Sequence, residues 1–225
     1  RGSLASITDA ALLSGANAAA IETAPDRWEV VQFAAATLAA PLTYSLSRFL
    51  RAQAGSDDAM PASVSAGARF VLLDAAVARV DLSAADVGLA ISWRYGPATQ
   101  PLSSPGYVTE THAFSGRGLR PLSPCHVRGQ RASGDLALTW VRRTRIGGDN
   151  WEQVEVPLGE DSERYEVDIL DGTTVKRTIA AVTPSASYTA AEQTADFGAP
   201  QPSLTVRVFQ LSATAGRGTP RLTTL

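Results

Sequence analysis

The stretch Tyr165-Glu166-Val167-Asp168-Ile169-Leu170-Asp171-Gly172-Thr173-Thr174-Val175-Lys176-Arg177-Thr178-Ile179 decides the fold class. In its first half Tyr165, Val167 and Ile169 alternate with Glu166 and Asp168. A two-residue period sends alternate side chains to opposite faces, so this half reads as a strand with one face on a core. Asp171-Gly172 follows, then a second strand-like run, Thr174–Ile179. Asp-Gly between two such runs is a hairpin signature, because glycine accepts the positive φ that a tight turn demands.

The same period recurs along the chain. Val87, Leu89, Ile91, Trp93 and Tyr95 alternate with Gly88, Ala90, Ser92 and Arg94. Leu136, Leu138 and Trp140 alternate with Ala137 and Thr139. Val154, Val156 and Leu158 alternate with Gln153, Glu155 and Pro157, and Leu204, Val206 and Val208 with Thr205, Arg207 and Phe209. Shorter candidates are Trp28–Phe33, Leu42–Leu46, Arg69–Leu73 and Val77–Leu82. Turn residues punctuate them at Gly55-Ser56-Asp57-Asp58, Gly96-Pro97, Gly147-Gly148-Asp149-Asn150, Gly198 to Pro202, and Gly216-Arg217-Gly218. One stretch differs. Ser6 to Glu22 is rich in Ala and Leu and has helical propensity, interrupted by Gly15 and Asn17.

The fold class is therefore all-β. The 225 residues suit two β domains of about 100 residues each. Ser115-Gly116-Arg117-Gly118, Pro121 and Pro124 make a poor sheet interior. They divide the chain into 1–120 and 121–225. Hydrophobic residues at 44% and charged residues at 19% mark a globular composition. A net charge of −2 leaves no basic surplus for nucleic acid. Cys125 is the single cysteine, so no internal disulfide framework exists. No apolar run of about 18 residues suggests a membrane span, and no signal peptide opens the chain. With Arg1 first and Met60 the single methionine, the sequence reads as a segment of a longer protein.

Residues 122–223 give six or seven short strands. Trp140 lies inward on an early strand, and a Val-rich strand, Leu204 to Leu211, precedes Gly216-x-Gly218-x-Pro220. This pattern resembles the fibronectin type III module. Residues 144–160 exceed its usual loop, and Val154–Leu158 predicts an extra hairpin there.

A second resemblance rests on longer segments. These are Glu29-Val30-Val31-Gln32-Phe33, Tyr44-Ser45-Leu46-Ser47-Arg48-Phe49-Leu50-Arg51, Gly67-Ala68-Arg69-Phe70-Val71-Leu72-Leu73, Trp140-Val141-Arg142-Arg143-Thr144-Arg145-Ile146-Gly147-Gly148-Asp149, Val156-Pro157-Leu158-Gly159-Glu160 and Val206-Arg207-Val208-Phe209-Gln210-Leu211-Ser212. Over roughly residues 15–220 the chain is similar to the C-terminal region of the large tail-tip protein of alphaproteobacterial siphophages and gene transfer agents, often labelled a host-specificity protein. The resemblance implies a virion protein of the tail tip or baseplate, structural rather than enzymatic. It also implies a homo-trimer in contact with other tail-tip subunits and receptor-binding fibres, with host surface polysaccharide as a further partner. In that family a glycoside-hydrolase-like barrel lies upstream, and none of it is present here.

The motifs of catalysis are missing. His112 and His126 lack a G-x-S-x-G context, and adjacent Cys125-His126 point to opposite faces of an extended chain. No further Cys or His stands at zinc spacing, so no metal and no cofactor is expected. Glu160, Asp161 and Glu163 lack the calcium-loop pattern. They read as a solvated turn, or as partners for Arg142, Arg143 and Arg145. Those three arginines form a small basic patch at a strand end, suited to a partner or an anionic polysaccharide. Phe209 and Leu211 fall on the face of their strand opposite Val206 and Val208, so an apolar outer face there predicts a contact. Phe209, Leu211, Arg142, Arg143 and Arg145 are thus the candidate partner-contact residues. Two other readings stay open. One is a carbohydrate-binding accessory module pair of a secreted glycosidase, which needs exposed aromatics such as Trp28 and Trp151. The other is a bacterial surface adhesin.

Overall fold

A computed structural model describes residues 3–148, 152 and 155–225. The chain forms two compact units. One joins Arg1–Val77 to Arg120–Leu225, and the other is Ala78–Leu119. The sequence boundary near residue 120 coincides with one edge of the second unit. The other edge, at 77/78, cuts through the segment read as one N-terminal domain.

In the larger unit, α1 (Asp9–Leu13) precedes β1 (Ala18–Ala24), β2 (Arg27–Ala40), β3 (Thr43–Gln53) and β4 (Phe70–Leu72). They form an antiparallel sheet in the order β3-β2-β1-β4. The expected helix over 6–22 is therefore cut short. Asn17 adopts a left-handed φ of 54° and donates to the carbonyls of Ala5 and Phe33. That turn redirects the chain, and pairing with β2 then overrides the helical propensity of Ala18–Ala20. Buried Gln32 donates to the carbonyls of Leu12 and Ala16, satisfying the end of α1.

Ala19, Val31 and Phe33 are the fully buried centre of this sheet, packed against Leu4, Ile21, Leu46 and Leu72. A charge is buried beside them. Glu29 is fully buried and takes a two-pronged pair from Arg51, at 2.6 and 2.7 Å. The same carboxylate accepts the backbone N–H of Ala52 at 3.0 Å, where β3 slips register and φ reaches 55°. The ion pair thus fixes a bulge.

The smaller unit holds β5 (Ala90–Tyr95) and β6 (Val108–Ala113), paired only with each other. The alternation of Ile91 and Trp93 is seen, but both are only half-buried. Val77–Leu82 forms no strand.

From β7 (Cys125–Ala132) onward the chain is a sandwich. β8 is Asp135–Val141, β9 Tyr165–Asp171, β10 Thr174–Ala181, β11 Ser185–Tyr188, α2 Ala190–Phe197, β12 Thr205–Ser212, β13 Gly216–Arg217 and β14 Arg221–Thr224. One sheet is β11-β8-β7. The other is β10-β9-β12, with β13 and β14 both on β12. Strands one, two and five thus face strands three, four and six and a last edge strand broken into β13 and β14, which is the fibronectin type III arrangement. Between them lie Leu136, Leu138 and Trp140 of β8, Tyr165, Val167 and Ile169 of β9, Tyr188, and Leu204, Val206 and Val208. Trp140 meets Tyr165 edge-on, with ring centroids 5.2 Å apart.

The hairpin read at Asp171-Gly172 is β9–β10. Asp171 pairs with Thr174, so the two-residue loop is Gly172-Thr173, and Gly172 carries a φ of 59°. The extra hairpin expected within 144–160 is not found among the described residues. Val154 lies outside them, and Glu155–Gly159 contains no strand. The helix α2 replaces a plain loop after the fifth strand. Arg177 of β10 and Tyr188 both donate to its Asp196, at 2.7 and 2.8 Å.

Gly218 marks a close approach of backbones. A Cβ there would lie 2.6 Å from the Pro121 carbonyl oxygen. The Gly218 N–H donates to Gln210, and that of Thr219 to Pro121. Gly218→Ala should lower the unfolding free energy by about 1–3 kcal/mol, the usual cost of overpacking. Urea denaturation checks this, and an unchanged midpoint would contradict it.

Candidate partner-contact surface

The five residues singled out as contacts sit in two places. Phe209 and Leu211 occupy the outer face of β12. Arg142, Arg143 and Arg145 follow the end of β8.

The outer face of β9 and β12 is organised by a carboxylate without water. Asp168 is fully buried. Thr178 of β10 donates to it at 2.7 Å. Arg217 donates twice, at 2.9 and 3.0 Å, and Arg207 once, at 3.2 Å. Arg217 also reaches Glu166 at 2.6 Å. Its guanidinium lies 4.5 Å from the centre of the Phe209 ring. Phe209 is therefore only 7% exposed, covered by an arginine of its own chain. Leu211 beside it is half-buried.

The basic patch is likewise committed internally. Arg142 donates to the carbonyls of Val156 and Pro157 and lies 3.9 Å from Glu163. Arg145 pairs with Glu160 at 3.0 Å. These are the acidic partners the sequence suggested, and they hold the 155–163 loop. Arg143 turns the other way. It pairs with Asp57 at 2.9 Å and so links the N-terminal sheet to the sandwich. The Thr219 hydroxyl adds to this joint by donating to the Gly55 carbonyl at 3.4 Å.

The other candidate groups remain apart. His112 meets Glu110 at 3.2 Å on exposed β6. His126 lies on β7, and the Cys125 thiol faces the Val141 carbonyl. Among the described residues no group of His, Cys, Asp and Glu is arranged to hold a metal ion, and no helix is long and apolar enough to cross a membrane. Trp28 is half-buried, with the Arg69 guanidinium 5.2 Å from its ring. Trp151 lies outside the described residues. In the smaller unit an apolar cleft of about 320 Å³ is lined by Leu82, Val87, Phe114 and Leu119. Its carboxylate, Asp86, is held by the Ser83 hydroxyl and N–H.

Sequence reasoning missed the Asp168 cluster. Asp168, Arg207 and Arg217 are far apart in sequence, and only strand register brings them together.

With this geometry in place, comparison with known proteins gives three findings. Residues 1–71 match the family described as Rcc01698-like, C-terminal. No curated protein matches the chain. The crystal structure of rat CD45 extracellular region, domains d3-d4, aligns over 85% of this chain and 93% of that chain, at 12% identity and a TM-score of 0.34. At that score the likeness carries no functional weight.

Burial by itself disfavours the Asp168 carboxylate. Hydrogen bonds from Arg217 and Thr178 and the charges of both arginines outweigh it, so the carboxyl titrates below the usual aspartate range. A depressed folded-state value stabilises the fold above the unfolded pKa, near ~4, and the gain fades as pH falls through the folded value. Asp168→Asn should cost about 1–3 kcal/mol at neutral pH. Arg207 and Arg217, whose side chains are 34% and 41% exposed, keep some water and limit the loss. The variant should also lose less stability than the wild type below about pH 4. Urea titrations across pH read both effects, and parallel acid limbs would reject the assignment.

Proposed function

We propose that this chain is a structural, non-enzymatic piece of the tail tip of a phage-like particle, of the gene transfer agent kind. The carrying observation is the match of residues 1–71 to the Rcc01698-like C-terminal family. Its namesake is a gene transfer agent-related protein of Rhodobacter capsulatus. The matched stretch holds β1 to β3 and all but the last residue of β4, the sheet that Arg143 and Asp57 join to the sandwich. The fold supports the reading in a second way. β units in which Arg142, Arg143, Arg145, Arg207 and Arg217 are spent on internal pairing suit a scaffold that transmits position between neighbours.

In this role the chain works as one of several copies, a homo-trimer, beside other tail-tip subunits and receptor-binding fibres. It anchors host attachment rather than performing chemistry. An antibody raised against residues 120–225 should label one end of the tail when particles from the producing cells are viewed by electron microscopy. Labelling of the capsid, or of soluble protein only, would reject the placement.

A further inference from the structure

The smaller unit, Ala78–Leu119, has no fully buried residue among those described. Four of its apolar side chains, Leu82, Val87, Phe114 and Leu119, line a cleft of about 320 Å³. Two separate segments make the walls, and backbone bonds hold them. The Gly88 N–H donates to the Phe114 carbonyl at 2.9 Å and ties one wall to the other. The Leu119 N–H closes its own turn on the Gly116 carbonyl at 2.9 Å. Phe114 meets Trp93 edge-on, with ring centroids 5.8 Å apart. At Gly118, which also lines the cleft, a Cβ would meet no atom within 4 Å. The hollow is therefore formed before any ligand enters.

Asp86 is the one charged residue in the lining among those described. Ser83 donates to its Oδ2 twice, from the hydroxyl and from the N–H, each at 2.7 Å. The Ser83 hydroxyl first, and then its N–H, hold the Asp86 carboxyl below the usual aspartate range, so it is an anion at neutral pH. Both bonds fall on one oxygen. Among the described residues no group donates to Oδ1, and no arginine or lysine neutralises the carboxylate. Nearby Arg79 pairs with Asp81, and Arg117, between the lining glycines, already has a partner.

We infer that this cleft binds a small organic amine, a primary ammonium group carried on one aromatic or branched apolar body. The body covers the four apolar walls and gains from leaving water. The ammonium donates to Oδ1 of Asp86, a charge-assisted bond that the chain itself leaves unmade. Apolar walls with one placed polar anchor are the usual make-up of a small-molecule site. The volume stands at the low end for such sites, with room for about one ring and a short chain. An anion would meet a carboxylate with no cation beside it. A metal ion would find a single carboxylate, since among the described residues no His, Cys, Asp or Glu group completes a site.

The test is an amide NMR titration of the whole chain with phenethylammonium chloride, at neutral pH and low salt, into the tens of millimolar. Wild type should show saturable shifts confined to residues 82–119, with a millimolar Kd suited to so small a ligand. Phenethyl alcohol, the uncharged counterpart, should bind about two- to fivefold more weakly, the size of an exposed ion pair. Asp86→Asn, which keeps an oxygen for Ser83, should bring the amine down to the level of the alcohol. Leu119→Ser should weaken both ligands about threefold or more. The comparison of amine with alcohol on wild type needs no variant to fold. No saturable shift would overturn the inference. So would equal binding of the alcohol or of phenylacetate, or amine binding unchanged in Asp86→Asn. A tetrapeptide with N-terminal phenylalanine that binds more than about tenfold tighter than the free amine would overturn it in favour of a chain terminus as the occupant.

Discussion

The outer sheet of the sandwich depends on what happens to one carboxylate. Asp168 sits mid-strand, out of contact with water, and its charge must be neutralised from neighbouring strands. Thr178, Arg207 and Arg217 come from three different elements to do so. Their convergence requires one register among β9, β10, β12 and β13, because a slip of one residue would turn Asp168 into the core. Arg217, once committed, lies flat on Phe209 and closes the face. The N-terminal sheet uses the same device, with Glu29 fixing a bulge through Arg51 and Ala52. In each sheet a buried acid acts as a register pin.

This changes what an outward phenylalanine means. Phe209 was expected to await a partner, and the chain supplies the cover itself. The three arginines after β8 are spent in the same manner, two on their own loop and one on the joint at Asp57. The surface left open is of another kind. One such stretch is the apolar end of the β2–β3 hairpin, where Leu38 and Leu42 are largely exposed among the described residues.

Legibility followed burial asymmetry. β8 alternates buried and exposed without a break, and its period was plain in Leu136, Leu138 and Trp140. The β9–β10 turn was readable to within one residue. Ala18–Ala24 was hidden because alanine favours helix by default and only cross-strand pairing decides otherwise. β11 and β14, at four residues each, are too short to show a period. α2 did leave a signal, since Thr189-Ala190-Ala191-Glu192 is a capping box and Gly198 a left-handed terminator. Val154–Leu158 shows the reverse error. Its alternation was real, yet Glu155–Gly159 is a loop held by arginines. The buried acids could not be read at all, because a local pattern does not state which distant arginine completes it.

The joint between the N-terminal sheet and the sandwich has a consequence for the order of assembly. Asp57 and Arg143 are 86 positions apart, and Gly55 and Thr219 are 164 apart. During synthesis at roughly 5–20 residues per second, β1 to β4 would wait on the order of 10–30 seconds before Thr219 appears. In that interval the sheet must keep its shape without its neighbour. The Glu29–Arg51 pair and the Gln32 bonds to α1 lie wholly within the early segment and can form at once. The sandwich then closes against a surface already set.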